Sequence, residues 1–69
     1  MFDSGVVVFS KSICPNCVTL KNQLNAKGIS FTEIKVDEDM EALAYLKQQG
    51  LRAVPVLMKD GVVVKVEEL

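Results

Sequence analysis

Val6-Val7-Val8-Phe9-Ser10-Lys11-Ser12-Ile13-Cys14-Pro15-Asn16-Cys17 is the stretch from which the rest of the chain is read. Its first half is β-branched and aromatic, which predicts a buried strand within Gly5 to Ser10. Its second half predicts a helix start. Pro15 suits the first helical position, where the missing N–H costs no hydrogen bond, so Cys14 falls at the N-cap. Ile13, Cys17, Leu20 and Leu24 then recur at steps of three and four, one apolar stripe. Lys27 falls in the last turn and Gly28 just past it, a normal helix stop. The two cysteines therefore sit where a strand hands over to a helix.

Working outward, Ile29 to Val36 alternates in part and predicts a second strand. Asp37-Glu38-Asp39 brings negative charge to a second helix start and reads as a solvated face with no catalytic role. Ala42, Leu43 and Leu46 supply that helix's inner face, and Gly50 ends it. Val54-Pro55-Val56-Leu57-Met58 predicts a third strand, with Pro55 confined to its beginning or to an edge because it has no N–H to donate. Asp60-Gly61 is a two-residue hairpin signal leading into Val62-Val63-Val64, which reads as sheet core rather than a partner groove, although with no helix behind it this strand would leave apolar surface exposed. The order is strand, helix, strand, helix, hairpin, with the first two strands parallel and their crossover right-handed. The expected architecture is an α/β sandwich, βαβαββ, around a mixed four-stranded sheet, with residues 1–69 forming one domain.

Composition narrows the function. A 69-residue chain buries only about 60% of the surface it exposes when unfolded, so a large enclosed substrate cavity is not expected. Eight basic and nine acidic residues are dispersed along the chain, leaving no patch for nucleic acid or an anionic membrane. Met1-Phe2-Asp3-Ser4-Gly5 lacks the charge and apolar run of a secretory signal, and no apolar run is long enough for a bilayer. The expectation is a soluble, cytoplasmic monomer.

Two cysteines and no histidine are present. A structural zinc site wants four ligands, so no metal is expected within one chain. A Cys-His hydrolase pair is excluded for want of histidine. As a staple the pair is weak, since closing so short a loop contributes roughly 2 kcal/mol. Reactivity explains it better. At a helix N-terminus the first amide N–H groups have no helical partner, and they and the dipole favour a thiolate. A free thiol is only about 3% ionised at neutral pH, and a dipole contribution of about 1 kcal/mol lowers its pKa by somewhat under one unit. Hydrogen bonds to the sulfur and Lys11 nearby supply the remainder. Cys14 is thus the expected nucleophile. Cys17, a turn deeper, is the expected resolving thiol.

The motif Ser10-Lys11-Ser12-Ile13-Cys14-Pro15-Asn16-Cys17 after a Val-rich strand, Ala53-Val54-Pro55 after Gly50-Leu51-Arg52, and the Asp60-Gly61 hairpin together resemble the glutaredoxin family of the thioredoxin fold, over about residues 5–64. The resemblance implies reduction of protein disulfides or glutathione mixed disulfides, with no tightly bound cofactor and glutathione as a co-substrate. It implies a cis Val54–Pro55 bond beside the cysteines, a backbone at Val54 that pairs with bound substrate, and a substrate-facing set of Lys11, Pro15, Asn16, Ala53, Val54 and Pro55. The chain departs from the pattern at Asn16, where glutaredoxins usually carry an aromatic residue. It departs again at Val64-Lys65-Val66-Glu67-Glu68, which has no glycine pair, and it stops at Leu69, before the family's final helix. Lys27 to Asp39 and Arg52 to Val56 look equally like the small redoxins that feed ribonucleotide reductase. Glutathione or thioredoxin reductase is therefore the implied electron source, and a disulfide-containing protein the implied acceptor. The alternative of a different class is a binding module that docks partners through the Val54-Pro55 face without turnover.

Overall fold

The computed structural model describes residues 5–51 and 53–69; the Met1–Ser4 start and Arg52 of the Gly50-Leu51-Arg52 motif lie outside the described residues. The elements are β1 (Val6–Ser10), α1 (Pro15–Ala26), β2 (Thr32–Lys35), α2 (Met40–Gln48), β3 (Val56–Lys59), β4 (Val62–Val63) and a closing 3-10 turn, Val66–Glu68. The sheet order is β2-β1-β3-β4, with β1 parallel to β2 and antiparallel to β3.

Strand alternation on β1 builds the two halves of the core. Val7 and Phe9 face α2, joining Val36, Ala42, Leu46, Val56 and Met58 in one buried cluster. Val8 faces the opposite way and meets Leu24 of α1 and Leu57. The Phe9 ring stacks on Tyr45 of α2, with centroids 5.9 Å apart. A central strand with both faces covered explains why Val6 to Phe9 is an unbroken apolar run.

Several predicted boundaries move inward. β2 occupies only Thr32–Lys35, because the Ile29 N–H is taken by the Leu24 carbonyl (3.0 Å) in the turn that closes α1. β3 begins at Val56, with Val54-Pro55 in the loop before it. Ile13 is 86% exposed and does not belong to the buried stripe, since it precedes the N-cap and the helical period does not reach it. Val62 and Val63 are also exposed; on an edge strand of two residues they have no layer above them, so the expectation of sheet core fails there. Val64 is partly buried and packs on the α1-side cluster. The hairpin turn is as expected. Asp60 (φ 51°) and Gly61 (φ 81°) both take the left-handed conformation that a two-residue turn demands. Asp60 also ties the turn to the start of β1, accepting from the Gly5 N–H on Oδ1 at 2.9 Å.

Candidate active site

The dithiol is assembled by the first turn of α1. Cys14 is the N-cap, with extended backbone (φ −156°, ψ 97°), and Pro15 holds the first helical position. The Cys14 carbonyl accepts the first helical hydrogen bond, from Val18 N–H at 3.2 Å. Its Sγ turns back over the turn and accepts from the Cys17 N–H at 3.2 Å. A sulfur here does the work that serine or aspartate does at most helix starts. The Cα atoms of Cys14 and Cys17 are 5.2 Å apart and their sulfurs are joined as a disulfide.

Cys17 is 1% exposed and Cys14 9%. The helix start is therefore less open at the first sulfur than the sequence predicts: the Cys14 side chain is folded against the turn that it caps. Its neighbours Ile13, Pro15 and Asn16 are exposed and form the rim. Val18, one turn on, adds a half-exposed apolar side chain.

Val54–Pro55 is cis, as the resemblance implied. Among the predicted substrate-facing residues, Lys11, Ala53 and Val54 come together in one cleft of about 700 Å³, whose floor includes Val36, Leu43 and Leu46. Lys47 and Leu51 complete this cleft and were not read from the sequence. Pro55 lines a neighbouring groove with Leu20 and Val56. Pro15 and Asn16 are not among the residues lining either. They stand on the exposed turn over the dithiol.

Two polar groupings support the site, and neither was anticipated. At the end of β1 the fully buried Ser10 hydroxyl donates to Glu33 Oε2 at 2.8 Å, and Lys21 Nζ reaches the same oxygen at 2.7 Å. The Lys21 ammonium, then the Ser10 hydroxyl, hold the Glu33 carboxyl below its ordinary value. A serine closing an otherwise apolar strand was the available signal. On the loop that leads to the dithiol, Ser12 donates hydrogen bonds to Asp37 and Glu38, which are exposed as the sequence reading expects. Ser12, through its N–H and then its hydroxyl, holds the Asp37 carboxyl below its usual value. Asp39 is the helix start that the sequence predicts: its Oδ1 accepts from the Ala42 N–H at 3.1 Å.

A disulfide-forming pair at the head of the first helix of a β2-β1-β3-β4 sheet, with a cis-proline loop opening β3, defines a thioredoxin-fold thiol-disulfide oxidoreductase. The comparisons with known proteins narrow this further. The glutaredoxin family model matches residues 6–64, and the chain belongs to that family. It is 40% identical over 55 residues to the glutaredoxin-like protein NrdH of Lactococcus lactis subsp. cremoris, covering 80% of this chain and 76% of that protein. It is 30% identical over 59 residues to glutaredoxin 3 of Escherichia coli, covering 84% of this chain and 71% of that one. The fold matches that of the glutaredoxin-like NrdH-redoxin from Escherichia coli with a TM-score of 0.85 and 24% identity, over 93% of this chain and 92% of the other. Among the described residues, no helix is long and apolar enough to cross a membrane.

Proposed function

We propose that Cys14 is the nucleophile and Cys17 the resolving thiol of a two-electron disulfide reductant. The Cys14 thiolate attacks one sulfur of a substrate disulfide. A Cys14–substrate mixed disulfide forms, and the first substrate thiolate leaves and takes up a proton. Cys17, deprotonated, then attacks Cys14 Sγ. The second substrate thiolate leaves, and the Cys14–Cys17 disulfide remains. Two electrons have passed from the dithiol to the substrate. The observation that carries this reading is the Cys14 sulfur at the N-cap of α1, accepting from the Cys17 N–H at 3.2 Å with Cys17 within bonding reach. The amide that steadies the disulfide sulfur is placed to steady a thiolate there as well.

The substrate is a protein disulfide, presented as an extended segment along the Lys11, Ala53 and Val54 cleft, with Pro15 and Asn16 above it and Pro55 beside it. The Val54 amide and carbonyl, beside the cis Val54–Pro55 bond, would pair with such a strand as a segment added to the structure's backbone. The resemblance of Lys27 to Asp39 and Arg52 to Val56 to the small redoxins that feed ribonucleotide reductase supports an acceptor of that kind. Glutathione serves as a co-substrate, or thioredoxin reductase replaces it as electron source, and no tightly bound cofactor is needed. Both sulfurs lie on one chain, so a monomer completes the cycle. A reducing compartment, the cytoplasm, suits a dithiol that must be returned to its reduced form.

The test is turnover of a protein disulfide by the wild type, Cys14→Ser and Cys17→Ser, with electrons fed either from glutathione and its reductase or from thioredoxin reductase. Complete loss in Cys14→Ser supports the assignment, and the system that sustains turnover identifies the donor. Turnover that survives in Cys14→Ser, or a mixed disulfide trapped on Cys17 of Cys14→Ser and not on Cys14 of Cys17→Ser, overturns the assignment.

A further inference from the structure

Lys11, Ser12 and Ile13 span the gap between the end of β1 and the N-cap sulfur, and all three are exposed. Two hydrogen bonds tie this span to the rest of the protein, and among the described residues there are no others. The Ser12 N–H donates to Asp37 Oδ2 at 3.1 Å, and the Ser12 hydroxyl donates to Glu38 Oε2 at 2.9 Å. The accepting segment is itself fixed. Val36 N–H donates to the Ser10 carbonyl at 2.8 Å, Glu38 N–H to the Lys35 carbonyl at 3.1 Å, and Asp39 caps α2. A rigid β2–α2 connection thus grips the residue two places before Cys14.

We propose that Asp37 and Glu38 are positioning residues, a clasp on Ser12 that holds Cys14 at the capping angle in which its sulfur meets the first amides of α1. This rests on Cys14 being the nucleophile. The charges around the clasp are Lys11 on the loop, Lys35 at the end of β2, and Asp39 beside the two carboxylates. Coulomb's law and the clasp predict opposite signs for removal of the pair. Two anions near a thiolate oppose its ionisation, so carboxylates acting only as charges make Cys14 ionise more readily once they are gone. Carboxylates that hold the loop do the reverse, because a slack Cys14 loses its alignment with the helix end.

The experiment follows alkylation of Cys14 by iodoacetamide across pH, in the reduced full chain carrying Cys17→Ser so that one thiol reports. Asp37→Ala with Glu38→Ala is expected to slow alkylation at neutral pH about fivefold, the size of a helix-end contribution to a thiolate, and to raise the apparent Cys14 pKa. Asp37→Asn with Glu38→Gln restores part of the rate, because an amide oxygen still accepts from Ser12. Ser12→Ala keeps both charges and the Ser12 N–H bond to Asp37 while removing the hydroxyl that reaches Glu38 and acts on Asp37, and is expected to slow the reaction by a smaller factor. Circular dichroism and thermal unfolding check that each variant is folded. A fast parent with unchanged or faster folded alanine variants overturns the clasp alone. A parent whose Cys14 reacts no faster than a free thiol overturns the nucleophile assignment, and the clasp with it.

Discussion

Glu33 is expected to hold more of this protein's stability than its place on a peripheral strand implies. Its Oε2 accepts from the Ser10 hydroxyl at 2.8 Å and from Lys21 Nζ at 2.7 Å. Ser10 is fully buried, whereas the Lys21 and Glu33 side chains are each 27% exposed. The two interactions are therefore unequal. The partly exposed ion pair contributes about 0.5 kcal/mol. A buried hydroxyl bonded to a carboxylate contributes about 1.5–3 kcal/mol, and removing its acceptor strands it. Glu33→Ala should cost about 2–3 kcal/mol, from a total of roughly 3.5–10 kcal/mol for a chain of this length. Glu33→Gln keeps an oxygen for Ser10 and should cost about 1 kcal/mol. The deficit of the Gln variant has a definite pH dependence. The folded Glu33 pKa lies below its ordinary 4.5, so its ionised form stabilises fully above that value. That contribution fades as pH falls through the depressed folded value. Urea unfolding of the oxidised proteins at neutral and acid pH measures this, together with a Ser10→Ala, Glu33→Ala double-mutant cycle. A coupling energy of about 1 kcal/mol is expected. Additive single substitutions, or a Gln deficit that does not shrink in acid, would refute the network.

Leu24 is fully buried between α1 and the sheet, so Leu24→Ala should cost about 3 kcal/mol and lower the unfolding temperature on the order of 15 °C by scanning calorimetry. Asp39→Ala removes the acceptor for the Ala42 N–H and should cost about 1 kcal/mol in urea unfolding. Cys17→Ser should accumulate a mixed disulfide between Cys14 and a substrate thiol, seen as a mass increment that reductant removes; Cys14→Ser should give no such adduct.

Most of the fold was legible because its signals are local. Val6-Val7-Val8-Phe9 bounded by Gly5 reads as a strand from composition alone, and Pro15 behind a cysteine reads as a helix start. Asp60-Gly61 specifies its turn through the backbone freedom of two residues. Reading went wrong where a residue's surroundings depend on a distant segment. Ile13 shares the three- and four-residue spacing of the stripe, yet it precedes the cap, and among the described residues no other segment of the fold covers it. Val62 and Val63 looked like core, but nothing in a run of valines says whether another layer covers it. Asp37 and Glu38 are solvated as read, but their bonds to Ser12 were missed because it lies 25 and 26 positions away.

The chain by itself determined the element order, the dithiol and its place at a helix head, since each follows from spacing, backbone geometry and the chemistry of one or two side chains. Only the folded structure decided what surrounds the dithiol. It brought Lys11, Ala53 and Val54 into one cleft, set Ser12 against Asp37 and Glu38, and buried Ser10 against Glu33. Those contacts join segments that neighbour each other only once β1 is paired on both sides, and pairing across a sheet is a property of the whole chain.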